Sequence, residues 1–192
     1  QGPFSKSWDQ VTGKIGAAVA CIASGFGCRL LGYDPRPDPA LESLGMRYVA
    51  LPELLRKARI ISLHVPLLPA TRHLLNAQTL ALTRRGVIVL NTGRGALIDS
   101  RALISALKSG QVGGAGLDVY EEEEGTFFRD LSDEVLQDDV LARLMTFPNV
   151  IITSHQAFLT HEALDGIART TLANVAAFER GEQVPNEVRA EQ

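Results

Sequence analysis

The chain has 192 residues, of which 45% are hydrophobic and 21% charged, with a formal net charge of −3. That composition suits one domain, or one domain plus a piece of another, around a proper core. It holds no dense Lys/Arg run of the kind nucleic acid requires, no apolar run near the ~20 residues of a membrane span, and no apolar signal-peptide centre in residues 1–10.

Residues 1–12 show no clear periodicity, and Ser7-Trp8-Asp9-Gln10 does not read as a buried strand. Thr12-Gly13-Lys14-Ile15-Gly16 reads as a glycine turn opening a buried helix that ends near Gly25 and Gly27. Cys21 and Cys28 are too few for a disulfide framework and match no metal motif. They read as buried, reduced thiols of a cytoplasmic protein. A strand follows over 29–33, closed by Asp34-Pro35, and Pro37 and Pro39 hold the next loop extended. Residues 46–50 form a short strand, and Pro52 sits at the start of a helix over 53–58. Ile60 to Val65 is a strand, 67–72 a loop and 76–82 a helix. Val87 to Leu90 is an apolar, β-branched run that reads as a strand buried on both faces. Asn91 to Gly95 breaks it, and Asp99 or Ser100 caps a helix through residue 108. Gly110, Gly113 and Gly114 punctuate before a strand over 115–120. Residues 131–145 form a short helix or two, and 150–153 the last strand. From Thr160 an amphipathic helix carries Leu164, Ile167, Leu172, Val175 and Phe178 on one stripe, closed at Gly181. The alternation of strand and helix predicts an α/β fold, a doubly wound parallel sheet.

Gly13-x-x-Gly16 is the back half of the fingerprint G-x-G-x-x-G, in which small residues let a helix N-terminus approach a pyrophosphate. Val11 stands where the first glycine belongs. Asp34 comes 18 positions after Gly16, where a carboxylate accepts hydrogen bonds from an adenosine ribose and repels a 2′-phosphate, so NAD is favoured over NADP. Four polar points fall at carboxyl ends of successive strands: His64, Arg94, Asp118 to Glu123, and His155. In an open α/β sheet those ends share one crevice. A guanidinium such as that of Arg94 suits bidentate recognition of a carboxylate. A histidine passes a proton to or from a hydroxyl carbon, and a glutamate bonded to it supports the protonated form. A nicotinamide ring takes or gives the hydride. The plain alternatives are a solvated Arg94, a packed strand-end His64, and a solvated acidic loop over Glu121 to Glu124.

Three segments carry a resemblance. Asn91-Thr92-Gly93-Arg94-Gly95-Ala96-Leu97-Ile98-Asp99, Gly116-Leu117-Asp118-Val119-Tyr120-Glu121-Glu122-Glu123 and Ser154-His155-Gln156-Ala157-Phe158-Leu159-Thr160, in this order and spacing, resemble the D-isomer-specific 2-hydroxyacid dehydrogenases from Gly13 to about Asn186. Phe127-Phe128 and Gln137-Asp138-Asp139-Val140 resemble the D-lactate dehydrogenase branch. The resemblance implies a Rossmann-like NAD-binding domain and interconversion of D-lactate and pyruvate, or a close 2-keto acid. It places carboxylate binding on Arg94, acid/base catalysis on His155 and its support on Glu123. Cofactor contacts fall on Gly13, Lys14, Ile15, Gly16, Asp34, Val65, Pro66, Thr71, Thr92, Gly93, Arg94 and Asp118. Thr71 stands where the family often has Asn. Members dimerise largely through this domain, so a homodimer is implied.

The same resemblance implies about a hundred further residues before this region, which build most of the substrate domain. It also implies a first strand that this chain lacks, although Gly2-x-Phe4-Ser5 resembles the segment just upstream of it. Residues 1–156 then form the NAD-binding domain and 157–192 the helix that returns to the substrate domain. The sequence therefore reads as a truncated or internally deleted member. Two other readings stand beside the enzyme: a non-enzymatic NAD-sensing interaction protein of the same fold, and an inactive remnant.

Overall fold

The computed structural model describes residues 7–10, 13–123, 137–184 and 186–187. Val11, the segment 2–5, Phe127-Phe128, Glu124 and the first part of the acidic stretch over 131–145 lie outside the described residues. The chain divides into two units, Gln1–His155 and Gln156–Gln192.

The first unit is built on one parallel sheet. Its strands are β1 (Ser7–Gln10), β2 (Arg29–Gly32), β3 (Arg47–Tyr48), β4 (Ile60–Leu63), β5 (Val87–Asn91), β6 (Val112–Leu117) and β7 (Val150–Ile152), in the order β3-β2-β1-β4-β5-β6-β7. The chain winds outward from β1 to β3, returns past β1 to β4, and winds outward the other way. This is the doubly wound arrangement, and its reversal lies between β1 and β4. The helices are α1 (Lys14–Gly25), α2 (Pro39–Ser43), α3 (Leu51–Lys57), α4 (Ala77–Ala81), α5 (Ser100–Ser109) and α6 (Asp139–Met145).

β1 corrects the expectation that the first strand is absent. Ser7–Gln10 pairs in parallel with β2 on one side, and Trp8, Asp9 and Gln10 pair with Ile60, Ile61 and Ser62 on the other. Apolar alternation could not reveal it, because Trp8 is its one large apolar residue. Its place follows from backbone pairing: β2 and β4 would otherwise each present an open edge.

Three smaller corrections concern local signals. Pro39 opens α2, with the Asp38 carboxylate accepting Ala40 N at 2.9 Å, where the prolines suggested an extended loop. Gly113 and Gly114 lie inside β6. A Cβ on Gly113 would sit 2.7 Å from Gly86 O, so the glycines there serve close approach rather than a turn. Helix α1 is half-exposed: its small residues Gly16, Ala20 and Ala23 are buried, while Ile15, Ile22 and Phe26 are exposed. Cys21 is exposed on it, and Cys28 is half-buried.

The main core lies under β4, β5 and β6. Leu63, Val89 and Leu117 from the strands meet Leu55, Leu80, Leu103 and Leu144 from the helices. All four residues of β4 are buried, whereas β5, read from its apolar run as buried on both faces, alternates: Val87, Val89 and Asn91 are buried, Ile88 is exposed and Leu90 half-buried, so one face of that strand is only partly covered. Helix α5 begins at the Asp99 cap, whose Oδ1 accepts Ala102 N at 3.0 Å, and α4 begins at a capping box between Asn76 and Thr79. A smaller cluster joins Ala20, Ala23, Leu30, Leu41 and Met46.

The second unit is the helix α7 (His161–Glu179) and its flanks. Thr160 Oγ1 caps it by accepting Ala163 N at 3.1 Å. Leu164, Ile167, Leu172, Val175 and Phe178 are exposed along its stripe.

Candidate active site

The carboxyl edge of the sheet holds a cleft of about 570 Å³. Six predicted cofactor residues line it together: Ile15 from the first turn of α1, Val65 and Pro66 after β4, and Thr92, Gly93 and Arg94 after β5. His64 stands beside them. Its imidazole Nε2 meets Ser62 Oγ at 2.8 Å, and burial pulls its pKa below the ordinary value of 6.5. Gly13 precedes α1 in extended conformation and offers no side-chain cap. The first-turn N–H groups of Lys14, Ile15 and Gly16 are therefore not met by a capping side chain, which is the arrangement that receives a phosphate. A Cβ at Gly93 would meet nothing closer than 3.5 Å. Asp34 follows β2, and its Oδ1 accepts Arg36 N at 2.7 Å. These features fit a dinucleotide laid across the sheet reversal. Thr71 contributes through its loop: its hydroxyl donates to Pro66 O at 2.7 Å and accepts Leu68 N at 2.8 Å.

The turn carrying Arg94 is held by a buried amide. Asn91 is 1% exposed; its Nδ2 donates to Arg94 O at 2.9 Å and its Oδ1 accepts Gly93 N at 3.1 Å. The Arg94 guanidinium is exposed and donates to Gly93 O at 2.8 Å. Backbone bonds continue across the strand ends. Asp118 N donates to Asn91 O at 2.9 Å, and His155 N donates to Asp118 O. Asp118 is buried, with its carboxylate accepting the Thr153 hydroxyl. Ser154 and His155 both adopt left-handed backbone, φ 52° and 57°, a conformation that marks functional sites when a structure sustains it in residues other than glycine.

The structure brings Glu123 and His155 into contact. Glu123 Oε1 lies 3.1 Å from His155 Nδ1, and Glu123 Oε2 accepts Tyr120 N at 3.1 Å. Tyr120 is itself buried, and burial, followed by the hydrogen bond its hydroxyl donates to Asp138, raises its pKa. The acidic run is therefore no solvated loop at Glu121 or Glu123. Glu121, which sequence reasoning passed over, meets His73, Arg72 and the first backbone N–H of α5. No local signal could have found it, because His73 lies 48 positions earlier. Among the described residues no group of His, Cys, Asp and Glu could hold a metal ion, and no helix is long and apolar enough to cross a membrane.

Residues 11–157 match the family model described as D-isomer specific 2-hydroxyacid dehydrogenase, NAD binding domain. The chain is 52% identical to a D-lactate dehydrogenase of Escherichia coli over 177 residues, covering 92% of the chain and 54% of that protein. It superposes on a pyruvate reductase of Chlamydomonas reinhardtii with a TM-score of 0.90 at 43% identity, covering 94% of this chain and 56% of that one. It superposes on a D-lactate dehydrogenase of Aquifex aeolicus, complexed with NAD and lactic acid, with a TM-score of 0.85 at 35% identity, covering 92% and 54%. The chain thus spans about half the length of the relatives it matches.

Proposed function

The chain belongs to the D-isomer-specific 2-hydroxyacid dehydrogenases, and from that premise we propose that it serves the NAD-dependent interconversion of a D-2-hydroxy acid and its 2-keto acid, D-lactate and pyruvate first. The observation that carries the reading is the Glu123–His155 contact at the ends of β6 and β7, on the same sheet edge as the cleft at β4 and β5. The relatives named for D-lactate and pyruvate support the choice of substrate.

In this reading Gly13 to Gly16 present the α1 N-terminus to the pyrophosphate. Asp34 accepts the adenosine ribose hydroxyls, and Val65, Pro66, Thr92, Gly93 and the Thr71 loop line the path. Asp118 faces the carboxamide side of the nicotinamide. The bound cofactor supplies or takes the hydride. Arg94 binds the substrate carboxylate through two parallel N–H donors. Glu123 accepts the Nδ1 proton of His155, which sets the tautomer and leaves proton exchange with the substrate oxygen to Nε2. The exposed Ile22 of α1 and Phe26 just after it support a homodimer through this unit, and cytoplasmic residence belongs to the same proposal.

The test is a fluorescence titration of the chain with NADH, with Asp34→Ala as control, followed by pyruvate. Saturable binding is expected. A lost charge-assisted bond is worth about 1.5–3 kcal/mol, so the control should bind roughly ten- to a hundredfold more weakly. A folded chain that shows no saturable binding overturns the reading.

A further inference from the structure

Three segments meet around one carboxylate. Residues 72–76 run beside 95–99: His73 N donates to Ala96 O at 2.8 Å, Leu75 N to Leu97 O at 3.1 Å, and Asp99 N to Leu75 O at 2.9 Å. Gly95, next to Arg94, lies against the 120–121 backbone so closely that a Cβ would sit 2.0 Å from Tyr120 C and O. Glu121 closes the junction with a side chain 16% exposed. Its Oε1 meets His73 Nε2 at 2.5 Å and Arg72 at 3.4 Å, and its Oε2 faces Ser100 N at 3.4 Å. His73 holds φ 51°, a left-handed backbone that residues with a Cβ rarely adopt, and in that conformation its imidazole reaches Glu121. Two residues further on, Glu123 meets His155.

We propose that Glu121 is the positioning residue of the site: bound to His73 and to the start of α5, it holds the 120–123 backbone against the Arg94 turn and so delivers Glu123 to His155. The proposal rests on the roles given above to Arg94, Glu123 and His155. Glu121 touches none of the reacting atoms and acts through Glu123. Its partners come from the loop after β4 and from the start of α5, so one side chain ties those two segments to the strand end that carries the proton-transfer pair.

The test is histidine-selective ¹⁵N NMR of the chain, which has four histidines. His155→Asn assigns the His155 resonances, and Glu123→Gln defines where the Nδ1 resonance lies once the carboxylate is gone. In Glu121→Ala, with Glu123 intact, the His155 Nδ1 resonance is expected to move to that same position. The His64 resonance, bonded to Ser62, is expected to stay where it is. An unmoved His155 resonance in folded Glu121→Ala overturns the proposal. So does a displacement that carries His64 with it, because general loosening of the sheet edge would do that. Should the alanine variant not fold, Glu121→Gln decides by the same two signs, with a smaller displacement expected because one acceptor oxygen remains. An NADH titration of the unsubstituted chain separates the two failures: absent binding removes the dehydrogenase reading, whereas an unmoved His155 in Glu121→Ala removes only the role of Glu121.

Discussion

Replacing Gly95 by alanine should do far more damage than the same change at Gly93, two residues away in the same turn. A Cβ at Gly95 would lie 2.0 Å from Tyr120 C and O and 2.5 Å from Glu121 N. These are backbone atoms, and Tyr120 is buried, so no side-chain rotation relieves the overlap and the 120–121 backbone must move. Overpacking of this kind costs about 1–3 kcal/mol, and contact with backbone puts Gly95→Ala near the upper end. For a domain of this size each kcal/mol lowers the melting temperature by about 2–4 °C, so about 3 kcal/mol predicts a fall of roughly 6–12 °C. At Gly93 the nearest atoms to a new Cβ are Leu63 O and Leu97 Cδ1, both at 3.5 Å, an ordinary contact. Gly93→Ala should therefore stay within about 1 kcal/mol of the parent in either direction. The assay is thermal melting of both variants by circular dichroism. A fall of less than about 2 °C for Gly95→Ala, under 1 kcal/mol, would refute the claim that the Arg94 turn and the Glu123 loop are locked at this point.

The amide of Asn91 supports the same turn from inside. Asn91→Ala leaves Arg94 O and Gly93 N without their partner and should cost about 1–3 kcal/mol, seen as a lower urea midpoint; an unchanged midpoint would contradict it. Burial holds His64 neutral, with its pKa below the ordinary 6.5. The unfolded chain therefore binds the extra proton first, and the stability His64 contributes is full above about pH 6.5 and declines as pH falls toward its folded-state pKa. Melting temperatures of the parent and His64→Gln, compared at pH 7.5 and 5.5, should show the parent losing ground to the variant at the acid pH; a constant gap would dismiss the role of burial. On α7, Leu172 and Phe178 are 69% and 77% exposed, and changing both to serine should reduce self-association by light scattering at rising concentration. Association as strong as the parent's would rule this stripe out as its cause.

Much of this protein was legible in its sequence because the signals are local. Ile60 to Leu63, broken only by Ser62, and Val87 to Leu90 are apolar runs, and each forms a strand of the parallel sheet. Asn76, Asp99 and Thr160 carry side-chain acceptors one residue before a helical pattern, and each caps a helix in the structure. Strand and helix in alternation imply a parallel sheet, and its carboxyl edge places Arg94, Asp118 and His155 where a crevice belongs. The doubly wound sheet and the strand-end positions of the candidate residues follow from these patterns alone.

What the sequence could not decide depends on neighbours distant along the chain. Ser7–Gln10 is a central strand because β2 and β4 flank it, not because of its own residues. Gly113 belongs to a strand because Gly86 backbone lies against it, whereas glycine by itself reads as punctuation. Ile22 and Phe26 are exposed because the alanines of α1 face the sheet, a rotation of the helix that its nearly uniform apolar sequence leaves open. Glu121 and Glu123 are set apart from their exposed neighbour Glu122 chiefly by His73 and His155, each dozens of residues away. Periodicity and capping are written into a few consecutive residues. Pairing, close approach and the partner of a carboxylate exist only once the chain has brought separate segments together.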